Sequence, residues 1–134
     1  MRKFLLLTVV LLSVSLSFIS CDKTPGDVLQ GTWKKVPGFS SGWEEEPEMT
    51  YIFNGNGFYV FISKYYDEVY TTQGRYVIDG NLVHMYYTKQ NTEGVSIDCE
   101  EVLELDTDRN PPALTANVYT TDGIPLGTLL FEKQ

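Results

Sequence analysis

EMTYIFNGNGFYVFISK, residues 48 to 64, sets two runs rich in Val, Ile, Thr, Tyr and Phe on either side of Asn54-Gly55-Asn56-Gly57. Strand-forming residues around a cluster of Asn and Gly spell a β-hairpin. The reading places Phe53 opposite Phe58, whether the loop is counted as two residues or four. Tyr51 then faces Val60 and Met49 faces Ile62, which makes one side of the hairpin continuously apolar. Thr50 and Ser63 fall on the other side, together with Ile52, Tyr59 and Phe61.

The same punctuation continues in both directions. Runs of strand formers at 31–36, 48–53, 58–64, 68–78, 82–88, 94–105, 114–120 and 126–132 are separated by Gly, Asn, Asp and Pro, and no window carries a helical apolar stripe. Eight consecutive antiparallel strands can close on themselves and leave no exposed edge, so the expected fold is all-β, an eight-stranded antiparallel up-and-down barrel. At Asp79-Gly80-Asn81 the register stays open: a two-residue turn pairs Val77 with Leu82, a three-residue turn pairs Ile78 with Leu82, and the two exchange the faces of 82–88. Asp122-Gly123 marks the turn between the last two strands. In the sixth strand Val95, Ile97, Cys99, Leu103 and Leu105 share one parity, and Glu101 alone breaks it.

The first 21 residues are of a different kind. Arg2 and Lys3 precede a Leu- and Val-rich run from Phe4 to Phe18 that ends among serines, the layout of a secretory signal. The run is too short and too interrupted for a spanning helix, which needs about 18 or more apolar residues. Phe18-Ile19-Ser20-Cys21 resembles the lipobox of bacterial lipoproteins, in the relaxed form found in Bacteroidota. That resemblance implies cleavage before Cys21 and acylation of its sulfur, each buried methylene of the acyl chains adding about 0.8 kcal/mol to anchoring. Residues 1–20 are thus the signal peptide, 21–26 the lipidated cysteine and a short polar tether, and 27–134 the barrel domain. Of the two cysteines, Cys21 would be acylated and Cys99 left as a small buried hydrophobe.

Composition narrows the function classes. The chain has 134 residues and a net charge of −8, which falls to −10 when Arg2 and Lys3 leave with the signal, so nucleic acid is excluded as a partner. No nucleophile elbow or phosphate loop is present, and His84, the only histidine, stands alone on a strand, so no enzyme is expected. Asp106 to Asn110 opens like a calcium loop but has Pro111 at the sixth position and Asn117 at the twelfth, and reads as a hairpin loop. Glu44, Glu45, Glu46 and Glu48 form a solvated acidic loop beside Trp43, which could belong to the barrel rim. Neither metal nor cofactor is expected.

Leu29 to Trp33, LQGTW, sets a Gly-x-Trp at the entry to the first strand and resembles the lipocalins; FNGNGFYVF at 53–61 and GRYVIDGNLV at 74–83 are similar to the small lipocalin-like domains of Bacteroidota lipoproteins. The resemblance implies that Trp33 packs across the closed end of the barrel. It also implies a monomer anchored in a bacterial envelope, at the outer membrane, that binds one small apolar or amphipathic ligand. Trp33, Tyr51, Phe53, Phe58, Val60, Tyr76, His84 and Leu103 are the candidate lining residues. The alternative is a solid barrel serving as a non-enzymatic protein-interaction module, with Tyr59 and Phe61 on its outer face.

Overall fold

The structure, a computed structural model, describes residues 24–38, 45–120 and 122–134. Cys21, Trp43 and Glu44 lie outside the described residues, as does the signal segment. One short helix, α1 (Pro25–Leu29), precedes eight strands: β1 (Gly31–Lys35), β2 (Glu48–Phe53), β3 (Phe58–Tyr65), β4 (Glu68–Asp79), β5 (Leu82–Gln90), β6 (Ser96–Asp106), β7 (Ala113–Tyr119) and β8 (Pro125–Lys133). Each strand pairs with the next and β8 pairs back with β1, giving a closed antiparallel barrel of the lipocalin-like, up-and-down kind. All eight expected strands are present, with ends displaced by no more than two residues.

The decisive hairpin carries a register that differs by one from the expected pairing. Phe53 lies opposite Tyr59, Tyr51 opposite Phe61 and Met49 opposite Ser63. The loop holds three residues, an odd number: Asn54 N–H donates to Phe58 O at 2.9 Å, Gly57 N–H donates to Asn54 O at 3.4 Å, and Gly57 has φ of 85°. This is a turn closed by a left-handed glycine, which forms a bulge and turns every following side chain to the opposite face. Tyr59, placed outside by the even count, is therefore inside and 2% exposed, while Phe58, placed inside, is outside and 49% exposed. Phe61 moves inward with Tyr59, and Val60 moves outward with Phe58.

The same device recurs twice. Asn91 N–H donates to Val95 O and Gly94 N–H to Asn91 O, with Gly94 at φ 79°; Thr120 N–H donates to Ile124 O and Gly123 N–H to Thr120 O, with Gly123 at φ 81°. By contrast Gly80-Asn81 makes a two-residue turn with Asp79 opposite Leu82, two steps from the expected Val77 pairing and one from the Ile78 pairing, and so with the face assignment of the two-residue reading. Odd residues of β5 face in and even ones face out, so Val83 and Met85 are buried and His84 is not.

Strand direction gives the barrel two unlike ends. The 54–57, 80–81 and 107–112 connections and the chain terminus gather at one end, and α1 lies across it: a methyl group on Gly26 would touch Ile78, and one on Gly55 would touch the Gln30 side chain. Thr24 caps α1, its hydroxyl accepting from Asp27 N–H at 3.3 Å. Leu29 and Trp33 are fully buried beneath it, and the Trp33 indole N–H donates to Leu29 O at 2.8 Å. Lys133 lies 5.9 Å from the centre of the Trp33 ring and donates to Val28 O, fastening the last strand to the helix.

Above this base the interior is filled by Phe53, Val83, Met85, Leu103, Leu105, Leu114, Ala116, Leu129 and Phe131. Tyr51 holds the centre, its ring 4.6 Å from Phe61, 4.9 Å from Phe131 and 5.7 Å from Phe53, while Tyr76 meets Phe53 edge-on at 5.2 Å. Each large apolar side chain so buried contributes about 1.5–3 kcal/mol, and each ring pair about 0.5–1.5 kcal/mol more.

Candidate functional site

At the open end the wall loosens. The β4–β5 ladder stops at Arg75 opposite Tyr86, and the β6–β7 ladder stops at Leu103 opposite Ala116, so residues 87–99 form a two-stranded ribbon paired only with itself. Gly74 marks the first split: a Cβ there would lie 2.2 Å from Tyr86 O and 2.8 Å from the Tyr59 ring. Only glycine lets the strands come this close before they part.

Between the filled base and this loosened end lies a polar layer. Glu101, inward on β6, is the residue that broke the apolar parity; the Tyr51 hydroxyl donates to its Oε1 at 3.4 Å. Tyr59, Tyr87 and Cys99, the last half-buried and not the buried hydrophobe expected, complete the group: the Glu101 carboxylate acts electrostatically on all three tyrosines, and Cys99 on Tyr59 and Tyr87. Burial pushes the Glu101 carboxyl above the ordinary glutamate range, the Tyr51 hydrogen bond pulling the other way. Burial first, and Glu101 second, raise the phenols of Tyr51 and Tyr59. Burial and then Cys99 raise that of Tyr87.

Two grooves border this layer at the splits. One of about 420 Å³ runs along Gln73, Gly74, Arg75, Tyr86, Tyr87 and Cys99, and one of about 370 Å³ along Glu100, Glu101, Val102, Asn117 and Tyr119. At the rim Lys35, its side chain 3% exposed, pairs with Glu46 at 3.3 Å, and both Glu46 carboxylate oxygens accept from Gly38 N–H at 3.1 Å. Glu46 is thus a structural partner within an acidic segment whose described glutamates, Glu45, Glu46 and Glu48, are exposed as expected. Asp106 to Asn110 is a hairpin loop, with Asp108 N–H donating to Asp106 Oδ1 at 3.1 Å. Among the described residues no group of three metal-ligating side chains comes together.

The eight candidate lining residues divide by parity. Trp33, Tyr51, Phe53, Tyr76 and Leu103 face the interior. Phe58, Val60 and His84 do not: the three-residue loop turns Phe58 and Val60 outward, and the 80–81 turn sets His84 on the outer face between Val77 and Val102, where its Nδ1 lies 3.0 Å from Glu100 Oε1. Tyr59, Phe61 and Tyr87 occupy the interior in their place. The outer face that was to show Tyr59 and Phe61 instead shows Phe58, Val77, Leu82, Tyr86 and Val102.

Fold and site together define a small antiparallel barrel with an aromatic-filled, helix-closed base and a tyrosine–carboxylate layer beneath a loosened open end. No family model matches the chain, and no curated protein or solved structure matches it significantly.

Proposed function

We propose that this protein is a lipid-anchored, lipocalin-like barrel of a bacterial envelope that binds one small amphipathic molecule at its open end and catalyses no reaction. The observation that carries this reading is the inward Glu101 carboxylate, held among three tyrosines at the edge of a groove of about 370 Å³. A volume of that order suits a small ligand, and a few convergent polar groups among aromatic ones are what such sites contain. The filled base moves the binding place from the depth of the barrel to its upper layer.

Anchoring at Cys21 fits this placement. The chain enters the barrel at residue 24, on the closed end, and the three intervening steps span at most about 11 Å. A lipid on Cys21 would therefore hold the closed end against the bilayer and aim the open end at the aqueous compartment. The molecule bound there would arrive from solution. Native mass spectrometry of the protein purified from its own membrane tests the reading: a reproducible bound mass of a few hundred daltons supports it, and a bare chain in repeated preparations sinks it.

The outer-face row of Phe58, Val77, Leu82, Tyr86 and Val102, each at least 36% exposed, favours a second reading, an interaction module docking another envelope protein. A photo-crosslinker at Val102 that yields one specific adduct in membranes would support it; only diffuse background would remove it.

A further inference from the structure

We propose that the molecule bound at the open end is an amine, its ammonium group seated on the Glu101 carboxylate. The proposal rests on the ligand-binding reading and names its chemical class.

Three observations lead to it. Among the described residues Glu101 has one hydrogen-bond partner, the Tyr51 hydroxyl, and no Lys, Arg or His pairs with it; Lys35 is held by Glu46, and His84 meets Glu100 on the outer face. A carboxylate inside a barrel without a cation is costly to hold, and a cation brought by a ligand would offset that cost. Next, the surrounding groups are tyrosines. They bring no positive charge to the layer, so the cation that would compensate Glu101 is left for a ligand to supply. Finally, the opening beside Glu101, created where the β6–β7 ladder stops at Leu103 opposite Ala116, is lined by no Lys or Arg, and Glu100 and Glu104 line it with Glu101.

A fatty carboxylate would meet Glu101 as a like charge. An alcohol would bring one hydrogen bond to the carboxylate, whereas an ammonium adds the attraction of opposite charges, a difference of about tenfold in affinity.

The test uses the full lipidated chain in phosphatidylcholine nanodiscs at pH 7, titrated separately with hexylamine, hexanol and hexanoate and followed by NMR shifts of Glu101, Tyr51 and Tyr87. Saturable hexylamine binding about tenfold tighter than hexanol, with hexanoate weakest, is the expected result. Glu101→Gln should bring hexylamine down to the affinity of hexanol and leave hexanol unchanged. Equal affinity for amine and alcohol, or shifts confined to other residues, overturns the amine assignment while leaving the ligand-binding reading standing. No saturable binding of any probe overturns both. The amine-to-alcohol ratio of the unaltered protein decides the matter even if the variant fails to fold.

Discussion

Glu101 occupies a position where the strand pattern asks for an apolar residue, two steps before Leu103 and four before Leu105 on the same face of β6. Its raised titration range has a signed consequence for stability. The folded state holds the proton more tightly than the unfolded chain, so Glu101 favours folding below the ordinary glutamate range and opposes it progressively as pH climbs through the raised value. Glu101→Gln is therefore expected to stabilise the ligand-free protein at pH 7 and to flatten the fall in stability between about pH 4.5 and neutrality. Urea midpoints across that range check it; a variant less stable than the parent at pH 7 would mean that the carboxylate is structural. Gly74 gives a prediction of the opposite sign. Alanine there drives a methyl into the Tyr86 carbonyl and the Tyr59 ring, and a backbone atom cannot swing aside, so Gly74→Ala should cost roughly 1–3 kcal/mol in chemical denaturation.

At the scale of elements, three loops closed by Gly57, Gly94 and Gly123 set the register of their hairpins. A Cβ on Gly94 would meet nothing within 4 Å, so Gly94→Ala isolates the conformational cost of its positive φ, expected at about 1–2 kcal/mol by urea denaturation. A cost near zero would contradict the left-handed geometry. The strands themselves were legible in sequence because β-branched and aromatic runs alternate with Gly and Asn; the faces were less so. Asn54-Gly55-Asn56-Gly57 is compatible with loops of two, three or four residues, and only the odd choice, fixed when Gly57 takes positive φ, puts Tyr59 and Phe61 inside and Phe58 and Val60 outside. Trp33, Tyr51, Phe53, Tyr76 and Leu103 were readable as interior residues. Glu101 was visible as the break in an apolar parity, but its tyrosine neighbours come from β2, β3 and β5, and only barrel closure brings them to it.

The molecule as a whole divides its labour between two ends. The base is the stabilising end, where Trp33 is buried under α1 and tied to Leu29 and Lys133. Trp33→Ala should cost about 3–5 kcal/mol, a large share of what a domain of this size possesses, as read from urea midpoints. A loss under about 1 kcal/mol would place the closure elsewhere. The open end gives up wall hydrogen bonds between β4 and β5 and between β6 and β7, and gains access to the tyrosine–carboxylate layer. That one small molecule is held there through Glu101 is the central claim, and paired native mass spectra test it most directly, one of the protein and one of Glu101→Gln, each purified from the same membrane source. The account predicts a reproducible bound mass on the parent chain that is absent from the variant; the same mass on both, or none on the parent, would contradict it.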